Sequence, residues 1–102
     1  MSWIKVKDFE ETLEEFIKNI TEKSEEELIK EKWIDSGYLW WDKRHNQYVF
    51  LRAIIEEINE GVLLGKLVWV GNGLTAYDGC LEFEGKQGLI EILENIDEYF
   101  DF

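Results

Sequence analysis

An Asn-Gly pair at Asn72-Gly73 divides a stretch of β-prone residues, and it limits the possible folds more than any other feature of the sequence. Asn and Gly tolerate the positive φ angles of a type I′ turn, whose twist matches that of two paired strands. The pattern therefore predicts a β-hairpin with strands at about 63–70 and 74–84. In this hairpin Gly73 would occupy a position of positive φ, and the residues on either side of the turn would pair directly.

The first third of the chain has the pattern of two helices. Asp8 with Glu11, and Ser24 with Glu27, have the spacing of a capping box, in which side chains and backbone amides satisfy one another. Apolar residues at helical spacing follow the first box, namely Phe9, Leu13, Phe16, Ile17 and Ile20. In the second helix the residues expected to be buried are Leu28, Ile29 and Trp33. Gly37 suits a turn or left-handed cap, so we expect this helix to end before it.

The segment from Gln47 to Glu60 fits both a helix and a strand. As a helix it collects apolar side chains on one face, namely Leu51, Ile54, Ile55, Ile58 and Val62. As a strand it would place Arg52 and Glu56 on the same face as apolar neighbours, which separates polar from apolar residues less well. Gly61 follows at a position typical of a helix C-cap. We therefore predict a helix from about Gln47 to Glu60, with a strand as the alternative.

The remaining elements complete an α+β fold. A closing amphipathic helix is predicted after Gly85, with apolar positions at Leu89, Ile92, Leu93, Ile96, Tyr99 and Phe100. Tyr38–Trp41 is a candidate third strand. We therefore expect about four helices packed on a small antiparallel sheet built around the hairpin, in a single globular domain over residues 1–102. The predicted core residues are Phe16, Leu51, Ile55, Val68, Tyr77 and Leu93.

Charge is distributed unevenly along the chain. The formal net charge is −12, yet residues 36–52 contain one acidic and three basic residues, whereas residues 53–102 contain 11 acidic and two basic residues. Such a negative field repels phosphate backbones and anionic membranes and attracts basic proteins. We therefore expect neither direct nucleic-acid binding nor membrane association. The single cysteine and the early charges in the N-terminal segment favour a soluble, cytoplasmic protein.

The most aromatic stretch, Gly37–Arg52, allows two interpretations. Adjacent residues of a strand point to opposite faces, so Trp40 and Trp41 are both buried only if both faces of the strand are covered. We expect both to be buried, because large aromatic side chains usually are. The alternative is that one of them forms an exposed aromatic spot beside the cationic loop at Lys43–His45.

Residues able to support catalysis are few and scattered. His45 is the only histidine, and no neighbouring carboxylate or hydroxyl in the sequence suggests a triad. Cys80 falls in a predicted strand, where inert cysteine is common. Glu82 and Glu84 alternate as the residues of a solvated strand edge do. We therefore expect no enzyme activity and no bound cofactor or metal, and convergence of these four residues in one pocket would favour the opposite conclusion.

These features favour a function based on surface complementarity. We hypothesise a small acidic inhibitor of the immunity or anti-defence type, which binds a basic protein such as a nuclease or another nucleic-acid-binding protein. Carboxylates would replace phosphates in the basic cleft of the partner, and an aromatic side chain would anchor the contact. The candidate contact residues are Tyr38, Trp41, Glu56, Glu57, Glu60, Asp78, Glu82 and Glu84. The alternative is a structural or adaptor subunit of a larger assembly.

Overall fold

A computed structural model describes residues 3–99. Within these residues, five strands and four helices follow one another in the order β1 (Trp3–Lys5), α1 (Phe9–Glu22), α2 (Glu25–Glu31), β2 (Trp33–Asp42), β3 (Gln47–Asn59), β4 (Val62–Gly71), β5 (Ala76–Glu84), α3 (Gly85–Glu94) and α4 (Ile96–Tyr99). The strands form one antiparallel sheet in the order β1-β2-β3-β4-β5. Each strand therefore pairs with its sequence neighbour, and the expected α+β class with helices on an antiparallel sheet is confirmed.

The helices pack on one face of this sheet. Because side chains alternate along a strand, every second residue of β3 and β4 points toward the helices. The buried residues on this side are Val49, Leu51, Ala53, Ile55, Leu63, Leu67 and Trp69. From the helices Phe9, Leu13, Phe16, Ile20, Leu28, Leu89 and Leu93 complete the same core cluster. The amphipathic stripe predicted for α1 is thus the surface that α1 buries.

The segment predicted as a helix from Gln47 to Glu60 is a strand, so that prediction is wrong. Val49, Leu51, Ala53 and Ile55 are buried with a period of two, whereas Ile58 is 48% exposed. The segment pairs with β2 on one side and β4 on the other, and these long-range hydrogen bonds outweigh its helical pattern. The polar side chain of Arg52 was an argument against a strand, but on β3 it donates two hydrogen bonds to Asp35 of β2.

The type I′ turn predicted at Asn72-Gly73 occurs instead at Glu60-Gly61. Both of these residues have positive φ, at 53° and 81°, and Asn59 pairs directly with Val62 across the two-residue turn. Gly61, assigned from sequence to a helix C-cap, is therefore the second residue of a hairpin turn.

The loop between β4 and β5 is longer than predicted. The Leu74 amide donates to the Gly71 carbonyl at 2.8 Å, and Leu74, not Gly73, has the positive φ of 64°. Val70 pairs with Ala76, and Leu64 pairs with Glu84. The predicted hairpin is present, with strands at Val62–Gly71 and Ala76–Glu84. Its turn type was wrong because the loop is longer than two residues, and a bulge in β5 between the pairs at Val68 and Val70 shifts the predicted pairing further.

The helix ends follow the sequence signals in part. Ser24 and Glu27 form the predicted capping box, with both hydrogen bonds at 3.1 Å, whereas Asp8 makes no side-chain cap. The second helix ends at Glu31, because Lys32 has a positive φ of 71°, so Trp33 belongs to β2 and not to that helix. The closing helix is interrupted at Asn95, and its predicted apolar position at Phe100 lies outside the described residues.

Other predictions about burial have mixed outcomes. Phe16, Leu51, Ile55 and Leu93 are core residues as predicted. Val68 lies on the opposite face of the sheet, and Tyr77 is partly buried against the core. Tyr38–Trp41 is part of β2, which confirms the candidate third strand. Among residues 3–99, no helix is both long and apolar enough to cross a lipid bilayer.

The two turns should differ in their tolerance of a glycine-to-alanine substitution. Gly61→Ala should lower the free energy of unfolding by about 1–3 kcal/mol, because alanine is strained at its positive φ although space is available. Gly73→Ala is the matched control, since a Cβ there also meets open space and no positive φ constrains it. Urea denaturation of both variants measures the difference. Equal midpoints for the two variants would contradict the assignment of the type I′ turn to Glu60-Gly61.

Candidate protein interface

The sheet face opposite the helices carries several large apolar side chains that remain exposed, among them Trp33, Tyr38 and Tyr48. We call this side of the sheet the open face. Strand pairing arranges its residues in rows that run across the strands. The rows are Ile4, Trp41 and Tyr48; Tyr38, Phe50, Val70 and Ala76; Asp35, Arg52, Val68 and Cys80; Trp33, Ile54, Lys66 and Glu82; and Glu57, Leu64 and Glu84. Because paired residues lie on the same side of a sheet, these side chains share one surface.

Aromatic rings dominate one end of the open face. Tyr38 and Tyr48 stack with ring centroids 5.3 Å apart, and Trp41 meets Tyr48 edge-on at 4.7 Å. Phe50 and Val70 are buried beneath this group although neither belongs to the main core cluster. Tyr38 and Tyr48 nevertheless remain 47% and 43% exposed. An exposed group of touching aromatic rings is typical of a surface that receives another molecule.

The two adjacent tryptophans have different environments. Trp40 is completely buried beside Phe9 and Trp3, with ring centroids at 5.5 and 5.7 Å. Trp41 is half-buried on the open face. The expectation that both tryptophans are core residues is therefore wrong for Trp41. Only one face of β2 is covered by helices, and consecutive side chains alternate between the two faces.

An ion pair occupies the centre of the open face. Arg52 donates from Nε to Asp35 Oδ1 at 2.7 Å and from Nη2 to Asp35 Oδ2 at 3.0 Å. The hydrogen bonds to Asp35 raise the pKa of Arg52. Its guanidinium also lies 5.0 Å from the Trp33 ring centroid and 5.8 Å from that of Phe50. These contacts on both sides hold Arg52 in place, and Asp35 neutralises its charge.

Carboxylates converge at the other end of the sheet. A cleft of about 700 Å³ is lined by Glu56, Glu57, Leu64, Gly65, Glu82, Phe83 and Glu84, and we call it the acidic cleft. The bulge in β3 between Ile55 and Glu57 places two consecutive glutamates in its lining. Lys66 Nζ lies 3.5 Å from Glu56 Oε2. Four carboxylates beside two apolar side chains make this cleft complementary to a cationic side chain with an aliphatic stem.

Gly65 shapes the floor of the acidic cleft. A Cβ at this position would lie 2.2 Å from the Ile54 carbonyl oxygen and 2.6 Å from the Phe83 ring. The absence of a side chain therefore lets the Phe83 ring rest directly on β4. Phe83 is 3% exposed, so the floor of the cleft is a fixed part of the core and not a mobile surface group.

Six of the eight predicted contact residues lie in these two regions. Tyr38 and Trp41 belong to the aromatic end of the open face, whereas Glu56, Glu57, Glu82 and Glu84 line the acidic cleft. Glu60 is exposed in the β3–β4 turn, and Asp78 is exposed on β5 beside Gly79; neither lines the cleft. Sequence reasoning missed Trp33 because it was assigned to the second helix, and it missed Tyr48 and Phe50 because their grouping depends on β3 being a strand.

A buried polar network beside the β2–β3 turn was also missed. Asp42 is 0% exposed, and its Oδ1 accepts from the backbone amides of Arg44 at 3.0 Å and His45 at 3.3 Å. Its Oδ2 accepts from Tyr77 Oη and lies near His45 Nδ1, both at 2.7 Å. Gln47 Nε2 in turn donates to Tyr77 Oη at 2.6 Å. An aspartate whose side chain accepts from backbone amides two and three residues later is common at turns. Asp42 at the start of the β2–β3 turn was therefore the sequence signal that could have predicted part of this network.

The network shifts the ionisation of two of its members. Burial acts to raise the pKa of Asp42, but hydrogen bonds from Tyr77 and His45 outweigh burial, so the pKa of Asp42 lies below its usual range. Burial and the bond to Asp42 raise the pKa of Tyr77 to about 12. An ionised carboxylate only accepts hydrogen bonds, so His45 carries a proton on Nδ1. The network therefore orients the imidazole and locks the turn.

The four residues considered for catalysis do not all line the acidic cleft. Glu82 and Glu84 line the acidic cleft, but neither His45 nor Cys80 lines it. His45 lies in the β2–β3 turn, and Cys80 is an exposed free thiol on β5. Within residues 3–99, no group of three or more His, Cys, Asp or Glu side chains is arranged to hold a metal ion.

No protein-family model matches the chain, and no match was found among curated proteins or solved structures.

Proposed function

We propose that this protein is a small acidic inhibitor that binds a basic, nucleic-acid-handling protein and acts by surface complementarity, as immunity and anti-defence proteins do. The observation that carries the proposal is the acidic cleft, whose lining contains Glu56, Glu57, Glu82 and Glu84. A surface shaped to hold phosphates presents Lys and Arg side chains, and carboxylates at similar spacing compete for the same cations.

The composition of the cleft favours lysine or arginine over a free metal ion. The aliphatic stem of either side chain can pack on Leu64, which is partly exposed, while the charged group reaches the carboxylates of the cleft. The net charge of −12 extends this attraction beyond the contact distance, which accelerates the encounter with a basic partner.

A structural or adaptor subunit is the second candidate function. The observation that favours it is the aromatic end of the open face, where Tyr38 and Tyr48 remain almost half exposed. Permanent subunit interfaces are more apolar than transient ones and depend less on salt. The salt dependence of binding therefore separates the two candidates.

The test is affinity capture from the native host with the purified chain, at about 0.05 M and about 0.5 M salt, followed by mass spectrometry. The inhibitor function predicts a basic nucleic-acid-handling protein that is recovered at low salt and largely lost at high salt, and whose activity on nucleic acid falls when the chain is added. A partner that is neutral or acidic and equally abundant at both salt concentrations would support the subunit function instead.

A further inference from the structure

The open face is polarised along the strands. Its aromatic end contains Trp41, Tyr48 and Tyr38, and its opposite end contains Glu57, Glu82 and Glu84, which also line the acidic cleft. Between them lies the Asp35–Arg52 pair, whose charges already cancel. A molecule that covers the whole face therefore meets a mainly aromatic end first, then a neutral centre, and then an end of net negative charge, where three carboxylates lie beside Lys66 and the exposed ring of Trp33.

The dimensions of this face correspond to one secondary-structure element. Val70 and Leu64, the β4 partners of Phe50 and Glu57, lie six residues apart, which is about 20 Å at a rise of about 3.3 Å per residue. The face is four strands wide beyond β1, or about 15 Å at a spacing of about 4.8 Å between strands. A helix of about 14 residues spans about 20 Å with a diameter of about 10–12 Å.

A segment lying across the face of a sheet cannot pair its backbone with that sheet, because the strand hydrogen bonds lie within the sheet plane. It must satisfy its own amides and carbonyls, and a helix does this. Helices already cover the other face, so a docked helix would complete a three-layer arrangement.

We propose that the open face binds a helix of the basic partner in a bipartite manner: an apolar side chain packs on the aromatic end, and Lys or Arg residues about 20 Å away enter the acidic end. This inference rests on the proposed function and adds to it the form of the contacting element. The Asp35–Arg52 pair sets the separation between the two contacts, because it offers neither net charge nor free apolar surface.

Charge selects this occupant over two others. A second copy would bring another net charge of −12 to the face, and that repulsion opposes self-association. Single-stranded nucleic acid stacks on exposed aromatic rings, but its phosphates would have to pass Glu57, Glu82 and Glu84. A basic amphipathic helix gains from both ends of the face.

The test uses three synthetic helical peptides of about 16 residues. The bipartite peptide carries Trp and Leu in its first turns and lysines in its last turns; the basic peptide has Ala in place of Trp and Leu; the apolar peptide has Gln in place of lysine. Calorimetry measures their affinity, and backbone amide shifts map the contact. The variants are Tyr48→Ala and Glu82→Gln, with Tyr99→Ala and Glu91→Gln as controls of equal chemistry outside the open face.

We expect the bipartite peptide to bind about tenfold more tightly than either of the others. Tyr48→Ala should remove the advantage over the basic peptide, Glu82→Gln should remove the advantage over the apolar peptide, and the controls should do neither. Amide shifts should fall on β2–β5 and spare α1. Circular dichroism of each variant shows whether its fold is retained.

Three results would overturn the bipartite inference. One is absence of binding by the bipartite peptide, and another is equal affinity for the bipartite and basic peptides in the parent chain. The third is a dimer in sedimentation velocity that Tyr48→Ala dissociates, because a second copy would then cover the face. In the second case a loss of affinity in Glu82→Gln still supports the proposed function, so the two failures are distinguishable.

Discussion

Replacing Asp42 with alanine is expected to lower the free energy of unfolding by about 3–5 kcal/mol, although the residue belongs to no apolar cluster. The carboxylate is completely buried and accepts four hydrogen bonds, from two backbone amides, Tyr77 and His45. Its removal leaves these donors without an acceptor in a site that water does not reach freely, and each such donor has a desolvation cost. Chemical denaturation monitored by tryptophan fluorescence measures the effect.

Asp35→Ala is the matched control. Asp35 also accepts two hydrogen bonds, from Arg52, but its side chain is 35% exposed, so water can replace the lost partner. Exposed pairs contribute about 0.2–1 kcal/mol, and we expect a loss in that range. Equal losses of stability for the two substitutions would mean that the buried hydrogen bonds of Asp42 contribute no more than those of the exposed Asp35.

The difference in stability between the parent chain and Asp42→Ala should depend on pH, because the pKa of Asp42 is shifted by folding. This pKa is lowered in the folded state, so its contribution to stability is present above the unfolded value near 4 and is lost as the pH falls through the folded-state pKa. The stability difference between the parent and Asp42→Ala should therefore shrink below about pH 4. Tyr77 behaves in the opposite direction: its pKa is raised to about 12, so its contribution is present below about pH 10 and is lost as the pH rises toward 12.

Reversal of the charges at the acidic cleft is expected to have the largest effect on binding. Changing Glu57, Glu82 and Glu84 to Lys alters the net charge by two at each position, from −12 to −6. Steering of a basic partner depends on both the total field and its local focus, so the association rate at low salt should fall by about ten- to a hundredfold. Surface plasmon resonance with the partner recovered by affinity capture measures this rate.

A control variant with the same net charge separates the effect of the carboxylates at the acidic cleft from the effect of total charge. Reversal of Glu10, Glu14 and Glu22 places three lysines on the exposed side of α1 and also gives −6. This control should retain most of the association rate, because the acidic cleft is intact. Similar losses in both triple variants would mean that total charge, and not the cleft, governs binding.

The sequence predicted elements well where local pattern and tertiary contacts agree. α1 forms where its apolar stripe lies, and the Ser24–Glu27 capping box forms as its spacing indicates. The prediction for β3 was wrong because its apolar residues also fit the helical period, namely Leu51, Ile54, Ile55 and Ile58. Only pairing with both β2 and β4 decides between the two structures, and that pairing involves residues up to about 20 positions away.

The candidate interface was predictable in composition but not in arrangement. Glutamates of β3 and β5 were selected by charge alone, and they converge because β4 brings the two strands together. The link between Asp42 and Tyr77 crosses 35 positions of the chain, and no local pattern encodes it. The aromatic end was recognised only at Tyr38 and Trp41, since its other members come from a strand that had been assigned to a helix.

The two edges of the sheet limit how this protein can recognise or mistake another chain. β1 is three residues long, and β5 is interrupted by its bulge, by Gly79 at a φ of 96° and by the charges of Asp78, Glu82 and Glu84. Within residues 3–99, neither edge offers a long regular ladder to which a foreign strand could add. Backbone pairing reads little of a partner's sequence, whereas side-chain contact reads much of it. The proposed contact uses side chains and not a free edge, so surface substitutions alone could change its specificity while the five-stranded scaffold stays the same.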